Sequence, residues 1–284
     1  GCLVWGGALE LAPADDAFIQ IEYPLGIDPL LLPSIMSKKK AVGSKYVVID
    51  IPTGRGAKIK TIGEAQALAE NFIDLGKKMG MEIRCAITYG EQPLGHAIGP
   101  ALEAREALLT LQGKGPADIV AKVSDVVGIL FEMTGKGDKN DALRILKNGK
   151  AEKKMREIIG AQGGNEKVKL SDIPIGSKKY ELKSQKDGHV LWIKNADIVT
   201  IAKRAGAPKD KGAGIELAVK TGDAVRKGQT ILIIYSNNII HLNEAIKAAE
   251  SSEPLIIGNR VEERMLLGTV ETIIPHKKAF ALDR

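Results

Sequence analysis

KYVVIDI (45–51), closed by Pro52, and MEIRCAIT (81–88) frame the segment that decides the fold. The first is a continuous run rich in β-branched residues, the pattern of a strand buried on both faces. Between the two, Ala65, Leu68, Phe72, Leu75 and Met79 recur at three- and four-residue steps, while Glu64, Glu70, Asp74 and Lys78 take the wet side. That spacing predicts an amphipathic helix over 62–79, stopped by Gly80. Strand, helix and strand joined by short links make a right-handed parallel βαβ unit. Ligands of open α/β sheets sit beyond the carboxyl ends of the strands, which points at the loops PTGRGAK (52–58) and TYGEQPLGH (88–96).

Outward from this unit, residues 99–162 are helical in pattern: PALEAREALLTLQ, then PADIVAKVSDVVGILFEMTG opening on Pro116, then DALRILKNGKAEKKMREIIGAQGG ending at a double glycine. The character changes near 165–171. Short strands then alternate with glycine-containing turns (YELKS, GHVLWI, GIELAV, TILIIY), and helices are predicted only at 195–205 and 241–250. A boundary near residue 170 therefore separates an α/β part from a C-terminal α+β domain ending around Pro275, with a fraying tail at 276–284. At the other end there is no initiator Met, and CLVW (2–5) reads as a buried strand. The chain is expected to begin inside a larger protein.

Composition excludes several classes. The 284 residues suffice for about two domains. No window approaches the roughly 18 apolar residues of a membrane span, and no charged-then-apolar leader opens the chain. Two cysteines, Cys2 and Cys85, and four scattered histidines offer neither a disulfide framework nor a metal-ligand cluster, and the cysteine usage fits a reducing cytosol. The net charge of +6 comes from 41 basic against 35 acidic residues with 4% aromatics, a weak signature for nucleic acid. A small anionic ligand accounts for the same bias.

Among candidate site residues, Asp28 precedes Pro29, so it reads either as a turn-former or as an acid. Asp15 and Asp16 follow Pro13 and suit a helix cap. Ser34 is placed either to cap the helix SIMSKKKAVG or to present its hydroxyl to a ligand. Lys58 closes a glycine-containing loop past a buried strand, where backbone and ammonium can approach a phosphate, although GxxxxGK[ST] is absent. His96 fits a structural hydrogen bond better than catalysis. VKTGDAVRKGQTIL (219–232) has the hammerhead shape of biotinyl and lipoyl carriers without their modifiable lysine turn.

Six stretches in order carry a resemblance: VWGGALELAPADD (4–16), IEYPLGID with PSIMSKK (21–39), VVIDIPTGRGAK (47–58), GHAIGPALEAREAL (95–108), GKAEKKMREIIGAQGG (149–164) and DKGAGIELAVKTGDAVRKGQTIL (210–232). Together they resemble the thymidine and pyrimidine-nucleoside phosphorylase family, and within it the archaeal AMP phosphorylase branch. The family cleaves the N-glycosidic bond with inorganic phosphate. In the AMP branch the products are a free base and ribose 1,5-bisphosphate, a nucleotide-salvage reaction in which CMP and UMP are further candidate substrates.

The resemblance implies a mixed-sheet α/β domain (1–13 and 42–170), part of a helical domain (14–41), and a C-terminal α+β, barrel-sandwich-like domain (171–275). Asp28 resembles the branch's proton donor to the base, and Ser34 and Lys58 its nucleotide-binding positions. Lys38 matches a lysine that contacts the base in thymidine-specific relatives. Glu22 stands where those relatives carry an arginine, and Lys58 where they carry a hydrophobic residue, which favours a substrate with an extra phosphate. No cofactor or metal is implied; inorganic phosphate is a substrate. Neither nucleic acid nor membrane is an implied partner, the location is cytoplasmic, and the full-length protein is a homo-oligomer. The family's phosphate-binding segments have no counterpart here, so the chain by itself is expected to turn over little or nothing. The alternatives are a nucleotide-binding module without turnover and a thymidine or pyrimidine-nucleoside phosphorylase.

Overall fold

A computed structural model describes residues 2–3, 12–15, 17 and 31–259. Strands β1 (Tyr46–Thr53) and β2 (Glu82–Tyr89) pair in parallel, from Tyr46 against Glu82 to Thr53 against Tyr89. Helix α1 (Leu31–Ala41) precedes them, and α2 (Ile62–Lys78) crosses between them. The start of α2 is set by a capping box: the Glu64 N–H donates to Thr61 Oγ1 at 3.2 Å, and Glu64 Oε2 accepts from the N–H groups of Lys60 and Thr61. The apolar stripe read from the sequence packs as expected. Phe72 is 1% exposed at the centre of a cluster with Val47, Ile49, Ile51, Ala65, Ile83 and Met36 of α1. Full burial of such a ring contributes about 2–3 kcal/mol.

Strand β1 is not buried on both faces. Val47, Ile49, Ile51 and Thr53 face the core, while Tyr46, Asp50 and Pro52 point outward. The outer face meets the long helix α4 (Ala117–Met133), whose Lys122 pairs with Asp50 at 2.7 Å, while Thr88 donates to Asp50 at 2.6 Å. A run of β-branched residues therefore reports strand propensity here more than two-sided burial. Helices α3 (Pro100–Leu111), α5 (Lys139–Lys147) and α6 (Lys150–Ala161) complete the predicted helical region. Of the strand expected at 2–5, Cys2 and Leu3 are exposed and outside any strand, and Leu3 exchanges two hydrogen bonds with the Gln162 side chain. The rest of it and the tail at 276–284 lie outside the described residues.

The C-terminal region has its own core. One antiparallel sheet has the order β3-β6-β8-β4, from Ala97–Ile98, Gly214–Leu217, Thr230–Ser236 and Lys178–Lys183. A second joins β7 (Ala224–Val225), β5 (Gly188–Ile193) and β9 (Leu255–Gly258). Helices α7 (Asn195–Ala205) and α8 (Ile239–Ser252) pack on them, burying Ile193, Ile201, Ile215, Leu232 and Ile234 completely. Strand β3 was not expected. It is a two-residue piece pairing Ala97 with Glu216 and Ile98 with Ile215, more than a hundred residues away. Gly99 makes this approach possible: its φ is +125°, and a side chain there would run into the Ala213 carbonyl.

Candidate functional site

The loop after β1 is folded tightly onto the strand ends. The Gly54 N–H donates to Ile59 O, the Ala57 N–H to Gly54 O, and Thr53 bridges to Ile59. Gly54, at φ +132°, is buried against Glu91, leaving no room for a side chain. Glu91 Oε1 in turn accepts the Arg55 N–H at 3.1 Å, so the loop following β2 holds the loop following β1. Lys58 stands exposed on this 54–60 turn, at the carboxyl end of β1 as the βαβ reading expects.

The C-terminal region clamps both loops. The Arg55 guanidinium stacks 3.5 Å over the Trp192 ring, and Asn195 donates to Gly90 O at 3.0 Å. The Thr221 N–H donates to Gln92 Oε1. Lys220, 15% exposed, donates to Pro93 O and Gly95 O and pairs with Asp118 at 2.9 Å. Burial alone would push the Asp118 carboxyl up. The hydrogen bonds from Lys220 and from the Gly95 N–H outweigh it and hold the carboxyl below its ordinary value. His96 Nδ1 lies 2.8 Å from Leu217 O, the structural hydrogen bond that its sequence context favoured.

A second cluster sits on α1. Helix α1 already includes Leu31, so Ser34 lies inside the helix and is not the cap. Ser34 and Lys38, four residues apart, share one face. Lys38 Nζ lies 2.6 Å from Asp15 Oδ2, and the Ser34 hydroxyl beside them helps hold that carboxylate ionised. Asp15 is 8% exposed and belongs to a helical stretch at 13–15, so it does not cap one. Burial raises its carboxyl, but the hydrogen bonds from Lys38 and Ser34, with the lysine's charge, overcome that and hold it below the usual range.

Lys40 donates to Met79 O at the carboxyl end of α2, and the short 42–45 link leads from α1 to the start of β1. Met36 of α1 packs into the βαβ core with Phe72 and Ile49. Ser34 and Lys38 are thus brought together by Asp15, and Lys58 stands on the separate 54–60 turn. Asp28 and Glu22 lie outside the described residues. Sequence reading missed Asp15 as a partner, because an ion pair across 23 positions has no spacing signature.

The chain can now be set beside known proteins. Residues 189–254 match the pyrimidine nucleoside phosphorylase C-terminal domain. The AMP phosphorylase of Thermofilum pendens is 50% identical over 271 residues, 95% of this chain and 53% of that protein. The AMP phosphorylase of Pyrococcus horikoshii is 53% identical over 267 residues, 92% of this chain and 53% of that protein. That of Methanosarcina mazei is 44% identical over 272 residues, 93% of this chain and 54% of that protein. The chain spans about half the length of the curated relatives it matches. Through the matched domain and through similarity along nearly its whole length, the chain belongs to the pyrimidine-nucleoside phosphorylase family, on the side of the AMP phosphorylases.

Proposed function

We propose that the complete protein carries out phosphorolysis of AMP. Inorganic phosphate attacks C1′ of the ribose, and the N-glycosidic bond breaks with its electron pair leaving on the base. Adenine and ribose 1,5-bisphosphate are released, and C1′ is inverted. CMP and UMP are further substrates of the same reaction. The observation that carries this reading is the identity of about half of all aligned residues with proteins named AMP phosphorylase, along nearly the whole chain.

The chemistry requires a charged base to depart from a sugar that gains positive character, so a proton or a positive donor must meet the base. Asp28 is the proton donor in this reading. Lys38 and Ser34 meet the nucleotide from α1, and Lys58 neutralises its 5′-phosphate from the turn beyond β1. The 1–13 and 42–170 segments form the α/β domain, 14–41 belong to a helical domain and 171–275 form the C-terminal α+β domain. The substrate lies in the cleft between the first two. The reaction needs no cofactor or metal, the protein works in the cytoplasm, and it assembles as a homo-oligomer at full length. By itself the 284-residue chain holds nucleotide with little or no turnover, because bringing both reactants together supplies on the order of 7–11 kcal/mol at best.

The test is adenine release from AMP by the protein of the complete reading frame, with and without phosphate, beside thymidine as competitor. Release that depends on phosphate, with kcat/KM on AMP well above that on thymidine and abolished by Asp28→Asn, is the expected result. Comparable kcat/KM on AMP and thymidine would overturn the assignment of the substrate.

A further inference from the structure

Asp15 is a buried carboxylate that the reaction as proposed does not use. Among the described residues its charged partner is Lys38, at 2.6 Å, and the Ser34 hydroxyl also favours its ionised form. These are the two nucleotide-side residues of α1. The Lys38 side chain is 19% exposed, so it is largely buried yet still open to solvent. A lysine carries three N–H donors on a flexible four-carbon stem and takes no fixed direction unless something holds it. One buried carboxylate bonded to the i+4 lysine and set beside the i serine of a helix supplies that direction. It leaves Lys38 two donors for a ligand and the Ser34 oxygen free to accept.

We infer that Asp15 is a positioning residue for the nucleotide half of the site: its carboxylate holds the Lys38 ammonium and the Ser34 hydroxyl on one face of α1, aimed at the bound nucleotide. The inference rests on the AMP phosphorylase reading and goes beyond it, because that reading gives Asp15 no part. It acts through Lys38. Removing it leaves the groups in place and loosens their aim, and a misplacement of about 1 Å at such a site costs on the order of 10²-fold in rate.

The experiment is a double-mutant cycle in the complete protein, with Asp15→Asn, Lys38→Met and the pair together, each followed by thermal unfolding. Asp15→Asn is expected to lower kcat/KM for AMP by about 10²-fold while KM for phosphate moves by less than about twofold, a split that general loss of structure would not produce. The double variant is expected to be no slower than Lys38→Met alone, since the two residues act as one unit. Losses that simply add, or a phosphate KM that rises in step, would overturn the inference. Should Asp15→Asn not fold, Asp15→Glu keeps the charge and shifts the carboxylate by one methylene. Loss of AMP turnover in that variant supports positioning, and wild-type kcat/KM contradicts it. If the wild-type protein releases no adenine at all, the parent reading fails instead. AMP binding then decides, weakened by Asp15→Asn if Asp15 positions Lys38 and unchanged if it does not.

Discussion

Replacing Lys220 by Met would test whether the C-terminal region holds the loop after β2 in place. The substitution keeps an unbranched stem of similar length and removes all three N–H donors. In the structure those donors meet Pro93 O, Gly95 O at 2.6 Å and Asp118 at 2.9 Å, with the lysine side chain 15% exposed. Asp118 keeps the Gly95 and Ile119 N–H groups and is about one-third exposed, so its share of the loss is small. The two carbonyls lose their only charged donor in a partly dry site, where each unsatisfied group costs about 1–3 kcal/mol. Allowing water to reach one of them, the expected destabilisation is about 1–3 kcal/mol. Because the βαβ unit and the C-terminal sheets have separate cores, urea unfolding should be read together with hydrogen exchange at Gly95 and His96. Exchange at those two amides should accelerate in Lys220→Met. A stability change under about 0.5 kcal/mol with unchanged exchange would show that the lysine clamp is incidental.

Other consequences can be checked with the same instruments. Gly99→Ala forces a side chain into φ +125° against the Ala213 carbonyl and should cost about 1–3 kcal/mol in thermal or urea unfolding. Thr61→Ala removes the side-chain acceptor at the start of α2 and should cost about 1 kcal/mol, whereas Thr61→Ser should be nearly silent. Asp15 and Asp118 are both held below the ordinary carboxylate range, so the unfolded chain binds their protons more tightly than the folded one. Their contribution is therefore complete above about pH 4 and lost as the pH falls through the folded values. Urea midpoints at descending pH should fall less steeply in Asp118→Asn than in the wild type.

Much of this architecture was legible because its signals are local. The β-branched run at 45–51 and the three- and four-residue apolar spacing over 62–79 each carry their own periodicity, and both elements formed within two residues of the expected bounds. Helix α1 includes Leu31 and Leu32, ahead of the expected 34, because Pro33 looks like a boundary in the sequence. What could not be read depends on distance along the chain. The β3–β6 pairing, the Arg55–Trp192 stack and the Lys38–Asp15 ion pair each join residues that no spacing rule connects. Asp15 shows the consequence for the site. Its position after Pro13 reads as a cap, and its role emerges only once α1 is packed beside it.

The central claim is tested most directly by following AMP and phosphate with the complete protein by phosphorus NMR. One inorganic phosphate should disappear for each adenine released, and a ribose phosphorylated at both C1 and C5 should accumulate. Release of adenine with ribose 5-phosphate and no consumption of phosphate would mean hydrolysis, and would contradict it.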